Sequence, residues 1–143
     1  MPVEAYLVLG VEGERFGLDA RRLETVVEYS VPAPLPGRPE PFTGALAHRG
    51  ELLPVVPLAA LVGLKARVEP VRSAIAVLGW EDGLLGLAAE RTHGLMVPDE
   101  GCRVTRVLGR WNGPYLRHTV EVDGERVHVL DLDSLLNQLA GRL

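Results

Sequence analysis

Cysteine is almost missing from this chain: Cys102 is the single one in 143 residues. One thiol can neither close a disulfide within the chain nor build a cysteine cage for zinc. A reducing, cytoplasmic setting is the plain expectation. Lysine is equally scarce, since of 15 basic residues only Lys65 is not an arginine. That bias fits genome composition and heat adaptation alike. There is no basic block and the formal net charge is −4, which argues against a nucleic-acid partner. No uncharged apolar run reaches the roughly 18 residues of a spanning helix, so direct membrane insertion is not expected. Met1-Pro2-Val3-Glu4 lacks the positive start of a secretory leader. Metal-ligand spacing is missing too: His48, His93, His118 and His128 form no HExxH or HxH pair.

What is present is an apolar, turn-rich chain. Hydrophobic residues make up 47% and charged residues 24%, enough to bury a core and too ordinary for disorder. The length suits one domain or two very small ones. Ala5–Val11 and Arg15–Leu18 flank a Glu12-Gly13-Glu14 turn and read as a hairpin. Asp19 reads as the N-cap of a short helix over 20–24, followed by a β-branched strand from Thr25 to Val31. Five prolines between Pro32 and Pro41 require an extended surface loop. Leu58–Leu64 reads as a short helix ended at Gly63, and Lys65–Glu69 as a polar bridge.

In the second half, Ser73–Gly79 and Leu84–Ala89 flank a Glu81-Asp82-Gly83 turn, and Leu95–Val97 is a further strand. Tyr115–Val122 and Arg126–Leu130 flank Asp123-Gly124, a type I′ signal. A final helix, Ser134–Ala140, is capped by Asp131 or Asp133. About five short strands per half imply an all-β fold of two small barrels with short helices. Near-continuous apolar strands fit burial between those barrels.

Motifs for chemistry are weak. His118 and His128 lie on opposite arms of one hairpin, which makes a metal-dependent barrel enzyme the remote alternative. Cys102 has no base near it in sequence, and Asp131-Leu132-Asp133 reads as a helix cap before a metal motif. Gly10, Gly13 and Gly17 lie across a hairpin and open no long helix, so they are not a phosphate loop. Neither a catalytic residue nor a cofactor or metal site is expected. The informative stretch is Gly44 to Leu58, an apolar strand, an Arg49-Gly50 corner and a second apolar strand. It presents a lone cation on a rigid support, which suits docking better than catalysis. Gly50 is expected at φ > 0 and Gly44 at a close backbone approach.

From Tyr6 to about Leu136 the chain resembles the CheW family, adaptors of bacterial chemosensory arrays. The resemblance rests on Tyr6-Leu7-Val8-Leu9, Glu14–Asp19, Leu23-Glu24-Thr25-Val26, Leu35–Pro39 and Phe42-Thr43-Gly44. Its most specific part is Ala47-His48-Arg49-Gly50 followed by Pro54-Val55-Val56-Pro57-Leu58. Leu85–Glu90 and Val129–Leu136 complete it. Ala47, His48 and Pro57 depart from the family's usual Asn, Leu and Asp.

The resemblance implies two intertwined five-stranded barrels similar to SH3 barrels, with subdomains at about 15–65 plus the chain ends and about 70–130 of one domain, 1–143. It implies a non-enzymatic adaptor that binds a chemoreceptor's cytoplasmic tip and the regulatory domain of a CheA-type histidine kinase, for chemotaxis or pilus-based motility. A free-standing kinase regulatory domain, or a divergent CheW paralogue with other protein partners, is the alternative within the same class. The partner-binding residues expected are Arg49, Gly50, His48 and Gly44, an apolar groove of Leu23, Val27 and Leu46, and Ala89 with Glu90 toward the kinase. Pinning of the hairpin from within is the competing role for Arg49, and core packing the competing role for the groove residues. Trp80 and Trp111 are either interface anchors or caps on a barrel end.

Overall fold

Two tight turns open the architecture. Strand β1 (Tyr6–Val11) pairs antiparallel with β2 (Glu14–Asp19) through Glu12 and Gly13, at φ 50° and 77°. Two consecutive left-handed residues form a type I′ turn, whose twist matches that of the strands. The Asp19 carboxylate accepts from the Arg21 N–H at 2.9 Å and caps a 3₁₀ turn at Ala20–Arg22. The helix expected over 20–24 ends there, because Leu23 already pairs with Leu78 and packs on the core as the first residue of β3 (Leu23–Glu28). The computed structural model describes residues 5–37, 40–64, 73–80, 83–98, 103–105, 115–122 and 124–140. The expectations for Lys65–Glu69, Cys102 and Trp111, and for the side chain of Trp80, lie outside them.

The chain continues through β4 (Gly44–His48), β5 (Glu51–Pro57), α1 (Leu58–Val62), β6 (Ala74–Trp80) and β7 (Gly83–Ala89). Gly63, at φ 73°, ends α1 in the left-handed conformation that glycine adopts without strain. Then come β8 (Arg91–Met96), β9 (Arg103–Thr105), β10 (Leu116–Val122), β11 (Glu125–Leu130) and α2 (Leu132–Ala140). Asp131 is the cap of α2, accepting from the Ser134 N–H at 3.2 Å.

The strands form two sheets, in the orders β8-β1-β2-β11-β10-β9 and β3-β6-β7-β5-β4. The expected all-β architecture with short helices is therefore present as two sheets. One sheet has six strands where five were expected, because the short β9 adds to β10. The five-stranded sheet is built from β3 to β7, and the six-stranded sheet from β1 and β2 together with β8 to β11. Within the six-stranded sheet, the parallel pair β2–β11, with Arg15 against Val127 and Gly17 against Val129, joins the opening hairpin to the closing one.

The main core lies between the sheets. Leu9, Phe16 and Leu18 meet Val56, Leu78, Leu85 and Leu87 there, under Leu132, Leu135, Leu136 and Leu139 of α2. A second cluster, with Leu53, Val55, Ile75, Val77 and Leu84, lies on the other face of the five-stranded sheet. Burial on both faces is why β5, β6 and β7 read as continuous apolar runs. Truncating a fully buried leucine such as Leu85 or Leu135 to alanine costs about 2–5 kcal/mol.

Candidate functional site

The hairpin of β4 and β5 closes at the His48–Glu51 pair, leaving Arg49 and Gly50 as a two-residue turn. Their φ angles are 50° and 80°, again a type I′ turn. Glycine or asparagine suits the first of these positions; an arginine there costs about 1–2 kcal/mol because its Cβ crowds the carbonyl. Arg49 is exposed, and no hydrogen bond or ion pair to the described residues holds its guanidinium. Five N–H donors on a rigid turn are thus free to meet carboxylates or carbonyls.

Beside the tip, Ala47 lies directly opposite Leu52, and both are exposed, Leu52 at 63%. On β5 the same alternation leads from Leu52 to the buried Val56 of the main core. The site is therefore a cation above a short apolar strip. Leu52 escaped the sequence reading, although Leu52 and Leu53 adjacent in one strand must face opposite ways. Leu53 is the buried one.

The other residues expected at the site divide by environment. His48 is half-buried, and its Nε2 is sealed from solvent without a hydrogen-bond partner among the described residues. Val27 and Leu46 pack on the second core cluster, while Leu23 packs on the main one, so the three do not share one surface. Gly44 is buried at φ 154°, where a Cβ would collide with the Ala33 carbonyl. That approach is internal: Ala33 and Ala45 exchange N–H···O bonds of 2.9 and 2.8 Å, which lays the proline loop along the edge of β4. Ala89 is buried, and the Glu90 carboxylate accepts the Glu12 N–H at 2.6 Å, tying the first hairpin to the end of β7.

The hairpin histidines do not converge. His118 stands opposite Val129, whereas His128 stands opposite Thr119, on the other face. His128 is 5% exposed; its Nδ1 lies 3.0 Å from Thr119 Oγ1 and its Nε2 3.3 Å from Glu14 Oε2. Nε2–H donates to the carboxylate, Nδ1 accepts from the hydroxyl, and Phe16 packs against the ring at 5.5 Å. Burial, opposed by Glu14, lowers its pKa below the ordinary histidine value. Among the described residues no three His, Cys, Asp or Glu side chains are grouped to hold a metal.

The comparisons agree in one direction. The family model described as CheW-like domain matches residues 5–140. "Chemotaxis protein CheW" of Thermotoga maritima is 25% identical over 130 residues, covering 90% of this chain and 85% of that protein. Its namesake in Rhizobium meliloti is 23% identical over 127 residues, covering 87% and 82%. The crystal structure of the scaffolding protein TtCheW from Thermoanaerobacter tengcongensis superposes with a TM-score of 0.79 at 21% identity, over 92% of this chain and 90% of that one.

Proposed function

The chain belongs to the CheW-like domain family, and from that premise we propose that it is a non-enzymatic adaptor of a chemosensory array. It joins a chemoreceptor's cytoplasmic tip to the regulatory domain of a CheA-type histidine kinase. The names carried by its relatives, a chemotaxis protein and a scaffolding protein, support the role. The single observation that carries it is the Arg49 turn, a cation held in an unfavourable backbone conformation with no internal partner among the described residues. Unlike Glu12 at the same φ, whose N–H is tied to Glu90, Arg49 has no such internal tie among the described residues, and strain at such a tip points to a role outside the chain. The apolar strip of Ala47 and Leu52 supplies area beside it, and the guanidinium supplies direction. Glu90 toward the kinase and His48 beside the tip belong to the same reading. The work is cytoplasmic, and no helix among the described residues is long and apolar enough to cross a membrane.

The test mixes the protein with the CheA-type kinase and a receptor cytoplasmic fragment from the same genome and sediments the assembly. Co-sedimentation of the parent protein, lost in Arg49→Glu with its fold intact, is the expected result. Equal recovery of both proteins removes Arg49 from the interface, and recovery of neither with a folded parent removes these partners.

A further inference from the structure

A cleft lies away from the Arg49 hairpin, where the opening strands meet the end of β11 and the start of α2. Its volume is about 290 Å³. Tyr6, Val129 and Leu132 give it apolar lining, and Arg21, Arg22, Arg117 and His118 line it as well. Three acids also line it, and each is already engaged. Asp19 holds Arg21 at 2.7 Å, Asp133 holds Arg22 at 2.8 Å, and Asp131 accepts the Ser134 N–H. Arg117 is exposed and makes no hydrogen bond or ion pair among the described residues. Donor capacity is left open in the cleft, beside the lone pairs the carboxylates keep: the whole Arg117 guanidinium, the unused N–H groups of Arg22, and an imidazole nitrogen of His118.

We propose that this cleft binds a small organic anion, a carboxylate or phosphate monoester on a compact apolar body. The anionic group sits against Arg117 and Arg22, and the apolar body lies on Tyr6, Val129 and Leu132. The volume is at the small end of ligand pockets, which run from about 300 Å³ upward, so it admits a free metabolite-sized molecule. Arginine forks select planar or tetrahedral oxyanions by paired hydrogen bonds, and the apolar lining discriminates against bare inorganic anions. Neither the adaptor role nor the Arg49 hairpin is needed for this binding.

The test is an amide chemical-shift titration of isotope-labelled protein with benzoate and phenyl phosphate. Benzamide and inorganic phosphate are the controls. Saturable shifts centred on Tyr6, His118, Val129 and Leu132 are expected with one or both organic anions, weakening as salt is added. Arg117→Gln is expected to weaken binding about tenfold with the spectrum elsewhere unchanged, and Arg126→Gln, on the distant β10–β11 hairpin end, to bind as the parent does. The stronger of the two anions identifies the headgroup. The proposal is overturned by any of three results: no saturable shifts at the solubility limit of both anions, benzamide or inorganic phosphate matching them, or Arg117→Gln binding as tightly as the parent.

Discussion

Replacing Arg49 by asparagine separates docking from folding. Arg49 occupies the first position of a type I′ turn at φ 50°, and its guanidinium has no partner among the described residues. Asparagine tolerates the left-handed region far better, so the exchange relieves a share of the about 1–2 kcal/mol that a chiral side chain pays there. A gain of roughly 0.5–1 kcal/mol is expected, which for a chain of this size raises Tm by about 2–4 °C per kcal/mol. Urea unfolding followed by circular dichroism measures the first quantity and a thermal scan the second. An arginine that pinned the hairpin from within would behave in the opposite way, its loss costing about 1–3 kcal/mol through stranded acceptors. Destabilisation by more than 1 kcal/mol on Arg49→Asn would therefore refute the argument that this cation serves a partner.

Three further outcomes follow from the same geometry. His48→Leu removes the sealed, unpartnered Nε2 and is expected to stabilise by about 1 kcal/mol, since a buried orphan polar atom costs about 1–3; a lower denaturation midpoint would mean that the ring finds a partner. Gly44→Ala drives a methyl into the Ala33 carbonyl and is expected to cost about 1–3 kcal/mol, read as a lowered Tm; an unchanged Tm would show that the proline loop yields freely. Burial lowers the pKa of His118 and His128 from the ordinary 6.5, so the unfolded chain binds more protons than the folded one in acid. Stability is then complete above about pH 6.5 and declines as pH falls below it. Unfolding free energy that is flat or rising from pH 7.5 to pH 5 in urea titrations would contradict this.

The local parts of the fold were legible because local chemistry specifies them. Glu12-Gly13 and Arg49-Gly50 both close tight hairpins, Gly63 ends α1, and Asp131 caps α2. Leu23 escaped because its partners, Leu78 and the main core, are remote in sequence. The same holds for the division into sheets. Parallel pairing of β2 with β11 joins residues over a hundred positions apart, and no turn announces it. Strand β8 was visible only at Leu95–Val97, since Arg91 to Leu95 are all exposed on a sheet edge and show no alternation. At the site, Arg49 stood out as a charge between apolar strands. Its left-handed φ did not, because the residue type argues against it. Leu52 and the Arg117 cleft depend on which face each strand turns to solvent, which the near-continuous apolar pattern conceals.

Receptor control of the kinase tests the adaptor reading most directly. The kinase's autophosphorylation rate is measured with receptor fragment present, first without this protein and then with it added at increasing concentration. A saturable change in rate is expected that requires all three components and is absent with Arg49→Asn once the unfolding assay has confirmed its fold. A rate that is the same with and without the protein, or a response undiminished in Arg49→Asn, would contradict it.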